Sequence, residues 1–302
     1  MTGSWKITAY ASKPLVHQAL LAHEEETDWD PEVILSGREE TPQTPDDWVL
    51  EAWYSRKPVQ ADKAAVAALF GDDVPALGIE KLPDEDWLTI SQQGVKPIHA
   101  GQFYVHTPDY PPHGDPAVCS LSIPASQAFG TGHHETTAGC LAILTAMKRS
   151  GVVARHMADI GTGTGLLAFA ALDLWPNALA TASDIDAICA EVVEFNAAEN
   201  HVAMGPGNGQ LAMVIADGMD DPLLQARGPY DLLIANILAA PLIELAPDFA
   251  EAVPPSGHVV LAGLLETQEA KVRAAYRRAG FRLASRLVNG DWSILWLRRR
   301  RA

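Results

Sequence analysis

Basic residues are scarce in this chain of 302 residues: 22 Lys and Arg face 38 Asp and Glu, a formal charge of −16 at pH 7. A broad phosphate-binding face needs concentrated positive charge, so a nucleic-acid groove over most of the surface is excluded and no direct nucleic-acid contact is expected. Cysteine is scarcer still. Cys119, Cys140 and Cys189 stand far apart without metal-like spacing, which excludes a disulfide framework or a zinc cluster and leaves reduced thiols. Long apolar runs are missing too. None exceeds the length of "LLAFAAL", which is stopped by Asp173, and the opening "MTGSWKITAYASK" lacks the apolar block of a signal peptide. A cytoplasmic protein with no membrane contact is expected. There is no internal repeat and no low-complexity tract.

What the chain does have is apolar mass, 48% of its residues, enough for one large domain or two smaller ones. The charge is uneven: residues 1–100 hold 18 acidic and 8 basic side chains. Within that acidic front, alternating "WKITAYAS" precedes helically spaced "KPLVHQALLAHEEE", then "DDWVLEAWYS" and the helix-like "ADKAAVAALFG". A small α+β domain over residues 1–80 is expected. The following "DVPALGIEKLPDEDWLTISQQGVKPIHAG" loses periodicity and reads as a linker, taken as 81–100, ahead of strand-like "QFYVHTP" and "AVCSLSIP".

From Ala154 strands and helices alternate: "RHMADI", "GLLAFAALDL", "NALATASDI", "AICAEVVEFNAAEN", "LAMVIAD", "YDLLIAN", "APLIELAPDFAEAV", "HVVLAG", "ETQEAKVRAAYRRAG". That pattern predicts a parallel sheet covered by helices on both faces in a domain over 101–302. The pattern then breaks. "FRLASRLV", a turn at Asn289-Gly290 and "DWSILWL" make a hairpin, so the last strand is expected to run antiparallel to its neighbours.

Ligands of such sheets bind beyond the carboxyl ends of the strands, where "DIGTGTG" places Gly161, Gly163 and Gly165. A dinucleotide fingerprint requires a further glycine or alanine at the position held by Leu166, so a nicotinamide site fits poorly. Strict alternation of glycine after an acidic residue resembles the first motif of S-adenosylmethionine-dependent methyltransferases; the bland alternative is a tight turn without a ligand. Asp184 ends the next strand, where a carboxylate can take both ribose hydroxyls; a helix cap is the alternative, better filled by Asp186. Asn236, in "ANIL", is the lone polar side chain of a long apolar stretch. It is either a core amide satisfied by backbone or, at a strand end facing the methyl group, the orienter of an incoming amine.

"AFGTGHHETT", "DIGTGTGLLAFAAL", "SDIDAICAEVVEFNAAEN", "DLLIANILAAPLIELAP" and "AGLLETQEAKVRAAY" in this order resemble the bacterial methyltransferases of the eleventh large-subunit ribosomal protein, the PrmA type. The resemblance runs from about Asp86 onward. It implies an α/β fold: a Rossmann-like class I methyltransferase sheet with a C-terminal antiparallel hairpin, plus a small N-terminal α+β domain that recognises the substrate. It further implies transfer of methyl groups from S-adenosyl-L-methionine to lysine side chains, and to the N-terminal amine, of that ribosomal protein. The family's cofactor contacts map to Thr137, Gly161, Asp184 and Asn236, with Gly163 in the same turn, Phe129 packing in an upstream flap, and Asn236 also catalytic. A monomer is expected.

The chain departs from the family at His133 and Glu135, where Thr and Pro are usual, and at Ala187, where Pro is usual. The His133-His134-Glu135 trio does not make a metal site, since adjacent histidines cannot share one face of a helix or strand, and no metal is expected. Other readings are a methyltransferase for another protein or for RNA, the latter supported only by the Arg298–Arg301 tail, an NAD-dependent oxidoreductase, and a non-catalytic ribosome-binding factor. Glutamine methyltransferases carry "NPPY" where this chain has "NILA".

Overall fold

The computed structural model describes residues 5–25, 29–30, 33–40, 44, 46–81, 96–124 and 134–301. They belong to two units, the first within 1–90 and the second over the rest of the described chain.

In the first unit β1 (Trp5–Ser12), α1 (Lys13–Glu25), β2 (Ile34–Glu39), β3 (Asp47–Tyr54), α2 (Gln60–Ala68) and β4 (Leu77–Lys81) form one antiparallel sheet in the order β2-β3-β1-β4. Two split β-α-β units interlocked in this way are the ferredoxin-like arrangement. The period-2 alternation of β1 turns Ile7 and Ala9 inward beside Leu50 and Ala52 of β3, and they bury against Val16 and Ala19 of α1 and Val66 of α2. β4 lies in the aperiodic stretch after "ADKAAVAALFG", with all but Lys81 inside the 1–80 expected for the small domain. A five-residue edge strand that is mostly exposed carries no alternation to betray it, yet it pairs with β1 from Trp5–Lys81 to Ala9–Leu77.

The second unit opens with a small sheet of β5 (Ile98–Ala100), β6 (Phe103–His106) and β7 (Cys119–Ser122). Asn200 pins it, accepting the Ser122 N–H at 2.7 Å and donating to the Ser122 carbonyl at 2.8 Å. Next come α3 (His134–Arg149), β8 (His156–Ile160), α4 (Leu166–Leu174), β9 (Leu179–Asp184), α5 (Ile188–Glu199), β10 (Leu211–Ile215), α6 (Pro222–Arg227) and β11 (Leu232–Asn236). The chain continues through α7 (Ala239–Glu244), α8 (Ala246–Ala252), β12 (His258–Leu265), α9 (Glu269–Arg278), β13 (Phe281–Asn289) and β14 (Trp292–Arg299).

Seven strands line up as β10-β9-β8-β11-β12-β14-β13, the first five parallel and the hairpin antiparallel, as its sequence predicts. One face, with Met157, Ala180 and Ile234, buries against α3, α4 and α5; the other, with Ile160, Leu233 and Leu261, buries against α6 to α9. Two local differences from the sequence reading have plain causes. Six-residue α6 intervenes between strands read as consecutive; Asp221 caps it by accepting the Leu223 and Leu224 N–H groups, and Pro222 opens it. The stretch read as one helix over "APLIELAPDFAEAV" divides at Leu245, because Pro247 fits only a first turn. Among the described residues no helix is long and apolar enough to cross a membrane.

Candidate active site

Strand order reverses at β8: β9 and β10 lie on one side of it, β11 and β12 on the other. Such a switch point opens a crevice beyond the carboxyl ends of the strands. Gly161 and Gly163 follow β8 there, Asn236 ends β11, and Asp184 ends β9 on the other flank.

The turn after β8 needs its glycines for their backbone angles: Gly161, Gly163 and Gly165 have φ of +71°, +55° and +84°. The N–H groups of Gly161 and Thr162 both donate to the Ser183 carbonyl, at 2.8 and 2.9 Å, tying the turn to β9. Space is equally tight. A Cβ on Gly161 would stand 2.2 Å from Cγ2 of Ile237, and one on Gly165 would stand 2.6 Å from the Phe169 ring. The Ile237 backbone is closely approached as well, since a Cβ on Gly263 (φ +83°) would lie 2.3 Å from the Ile237 carbonyl oxygen. Gly263 sits in the irregularity of β12 between Leu261 and Leu264. Two glycines thus clamp the residue that follows Asn236 and fix where β11 ends.

Asp184 is half-buried; Oδ2 accepts the Gly163 N–H at 2.8 Å and Oδ1 the Asp186 N–H at 3.1 Å. Each oxygen keeps a lone pair for a further donor. Asp186 accepts the Ile188 N–H at 3.0 Å, serving the helix start. Asn236 is half-buried, and its Oδ1 is buried with no hydrogen-bond partner among the described residues. Thr136 and Thr137 are buried in the first turn of α3, which leans on the hairpin: a Cβ on Gly139 would come within 2.4 Å of Ile294, and Asn289 Nδ2 donates to the Glu135 carbonyl at 3.0 Å. Phe129 and His133 lie outside the described residues.

One residue the sequence reading did not single out for a role also belongs here. Asp159 opens "DIGTGTG", is 2% exposed, and accepts the Thr162 hydroxyl on Oδ2 at 2.7 Å; its Oδ1 has no partner among the described residues. Burial pushes its carboxyl up to about 7, opposed by the bonds from Thr162 and the Ala168 N–H and reinforced by the nearby Asp184 charge. The only sequence signal was its place ahead of the first glycine.

These groups fit an adenosyl sulfonium ligand. The glycine turn leaves bare backbone for close approach, Asp184 retains acceptors for a diol, and two unpartnered oxygens, on Asp159 and Asn236, offer negative potential to a cation. A switch-point site of this composition, on this strand order with an antiparallel hairpin at the edge, defines a class I S-adenosylmethionine-dependent methyltransferase. Comparison with known proteins narrows the class. The family model for ribosomal protein L11 methyltransferase (PrmA) matches residues 10–300. A ribosomal protein L11 methyltransferase of Agrobacterium fabrum (strain C58 / ATCC 33970) is 37% identical over 256 residues, 84% of this chain and 85% of the relative. One from Rhizobium meliloti (strain 1021) is 41% identical over 220 residues, 73% of each chain. The solved structure of the ribosomal protein L11 methylase from Lactobacillus delbrueckii subsp. bulgaricus superposes with a TM-score of 0.55 at 27% identity, covering 68% of this chain and 99% of that one. The chain belongs to the ribosomal protein L11 methyltransferase (PrmA) family, and is an enzyme of S-adenosylmethionine-dependent protein methylation.

Proposed function

We propose that this chain, acting as a cytoplasmic monomer, methylates lysine side chains and the N-terminal amine of ribosomal protein L11. The observation that carries the reading is Asn236: a buried, unpartnered amide oxygen at the switch point, beside a glycine-clamped strand end. The cofactor supplies an electrophilic methyl on a cationic sulfonium. Gly161, Gly163, Asp184 and Thr137 are the residues assigned to hold it, and Phe129 is assigned to cover it.

A lysine amine is protonated near neutral pH, its ordinary pKa being about 10.4, and only the neutral amine has the lone pair that attack requires. Desolvation at the crevice lowers that value. Asn236 Oδ1 then accepts one amine N–H and turns the lone pair toward the methyl, so the enzyme works by positioning, with the proton lost to solvent. The first unit is assigned to capture of the basic ribosomal protein, on the strength of the 18 acidic against 8 basic residues in 1–100. The reaction calls for no membrane or nucleic-acid partner.

Mass spectrometry of purified L11 incubated with the enzyme and S-adenosylmethionine tests this. Mass gains in methyl steps that map to lysines and the N-terminus are expected; methyl groups found only on ribosomal RNA or on other proteins would overturn it.

A further inference from the structure

We infer that Asn196 of α5 is a positioning residue for the cofactor turn: by holding the Thr164 carbonyl it sets the direction of the Thr164 N–H, the donor that the turn leaves free for the cofactor. Asn196 is 2% exposed and lies on the buried face of α5 with Cys189, Val193 and Ala197. An amide among such apolar neighbours is costly unless it is hydrogen-bonded. Its Nδ2 donates to the Thr164 carbonyl at 2.9 Å, between two glycines of the turn after β8.

The other hydrogen bonds of the turn define what that contact does. Of the five N–H groups from Gly161 to Gly165, four are donated within the protein: those of Gly161 and Thr162 to the Ser183 carbonyl, that of Gly163 to Asp184 Oδ2, and that of Gly165 to the Thr162 carbonyl at 3.0 Å. The Thr164 N–H has no acceptor among the described residues, although Thr164 is 3% exposed. Buried N–H groups are almost always paired, so one left over in a switch-point turn is a donor for a ligand. The peptide plane that carries it lies between Gly163 and Thr164, and both of its neighbours are pinned. Asp184 holds the Gly163 N–H on one side, and Asn196 holds the Thr164 carbonyl on the other. Without Asn196 the plane would turn easily, because Gly163 and Gly165 have no Cβ to restrict the backbone beside it.

Asn200, one helical turn further on, provides the contrast. Its amide accepts the Ser122 N–H at 2.7 Å and donates to the Ser122 and Asn196 carbonyls, both at 2.8 Å. Among the described residues it makes no hydrogen bond to the glycine turn, so it carries a similar structural load without acting on the cofactor.

This role presupposes that the glycine turn and Asp184 hold the cofactor. Titration calorimetry of S-adenosylhomocysteine on the full chain tests both, with urea unfolding of each ligand-free variant to establish that it is folded. Asn196→Ala is expected to weaken binding by about tenfold, the scale of one buried hydrogen bond, and Asn200→Ala to lower stability while affinity stays within about twofold of wild type. Asn196→Asp keeps the shape and serves where the alanine variant does not fold. As a neutral acid it donates to the Thr164 carbonyl as the amide does, and as a carboxylate it repels that carbonyl. Its deficit relative to wild type should therefore grow as pH rises from about 5.5 to about 9, the ratio at each pH cancelling the titration of Asp159 that both proteins share. Equal losses in Asn196→Ala and Asn200→Ala, an Asn196→Asp deficit that does not change with pH, or wild-type affinity in Asn196→Ala while Asp184→Ala binds weakly would each overturn the role of Asn196 alone. Wild-type affinity in both Asn196→Ala and Asp184→Ala would overturn the cofactor assignment of the turn along with it.

Discussion

Substituting Gly161 by Ala tests the clamp around Ile237. Alanine at φ +71° costs about 1–2 kcal/mol, the penalty of the left-handed region for an L-residue. Its methyl would also lie 2.2 Å from Ile237 Cγ2, where carbons ordinarily rest about 3.5–4.0 Å apart, so Ile237 must withdraw by more than an ångström. Its backbone is confined by the close approach of Gly263, where a Cβ would lie 2.3 Å from the Ile237 carbonyl oxygen. The remaining outlet is an unfavourable rotamer or local overpacking, about 1–3 kcal/mol more. Gly161→Ala is therefore expected to lose about 2–5 kcal/mol in urea unfolding, and in an Ile237→Ala background only the backbone part, about 1–2 kcal/mol. Fluorescence-monitored unfolding of the four members of the cycle, with calorimetric titration of S-adenosylhomocysteine, measures both stability and cofactor affinity. The same loss in both backgrounds would refute the clamp, since the effect would then owe nothing to Ile237.

Asp184→Ala should weaken S-adenosylmethionine by about 1.5–3 kcal/mol and, because the Gly163 and Asp186 N–H groups lose their acceptor, also lower the ligand-free stability by about 1–2 kcal/mol; calorimetry showing unchanged affinity would remove Asp184 from the cofactor site. Asn236→Ala should cut single-turnover methylation by powers of ten with little change in cofactor affinity, whereas a structural asparagine would cost about 1–3 kcal/mol of stability and leave turnover normal. Asn236→Asp keeps the size but attracts the protonated amine, so its methylation should be slow and recover in part as pH rises; wild-type rates would place methyl transfer elsewhere. For Asp159, the folded carboxyl at about 7 stands above its ordinary value near 3.8, so the folded state binds the extra proton between those limits and stability falls as pH rises from about 4 to about 7. Asp159→Asn should flatten that slope in urea titrations; an unaltered slope would assign it to other groups.

The larger sheet was legible because its apolar runs alternate with helical periods over more than a hundred residues, and Asn289-Gly290 announces the terminal hairpin. Short elements were not. β4 is an exposed edge strand of five residues and α6 is a helix of six, so neither completes enough of a period to be told from a loop. At the site, Gly161, Asp184 and Asn236 were readable as strand-end residues, which need only local sequence. The Gly263–Ile237 contact depends on cross-strand register at a bulge, and the orphaned oxygen of Asp159 depends on what packs above β8; neither has a local signature. Asp184 also has a structural duty to Gly163 that the strand-end reading did not anticipate.

β14 comes after every other strand in the chain yet sits inside the sheet, between β12 and β13. On a ribosome the chain emerges in order, so β13 leaves the exit tunnel with no partner in the sheet, and β12 waits with an open hydrogen-bonding edge until residues 292–299 arrive. Until then Gly139 of α3 lacks Ile294 to rest on, and the first turn carrying Thr136 and Thr137 is without its support. Nascent chains halted before Trp292 would expose an unpaired parallel edge, the feature that invites association with other strands, and chaperone capture should be concentrated in that interval of synthesis.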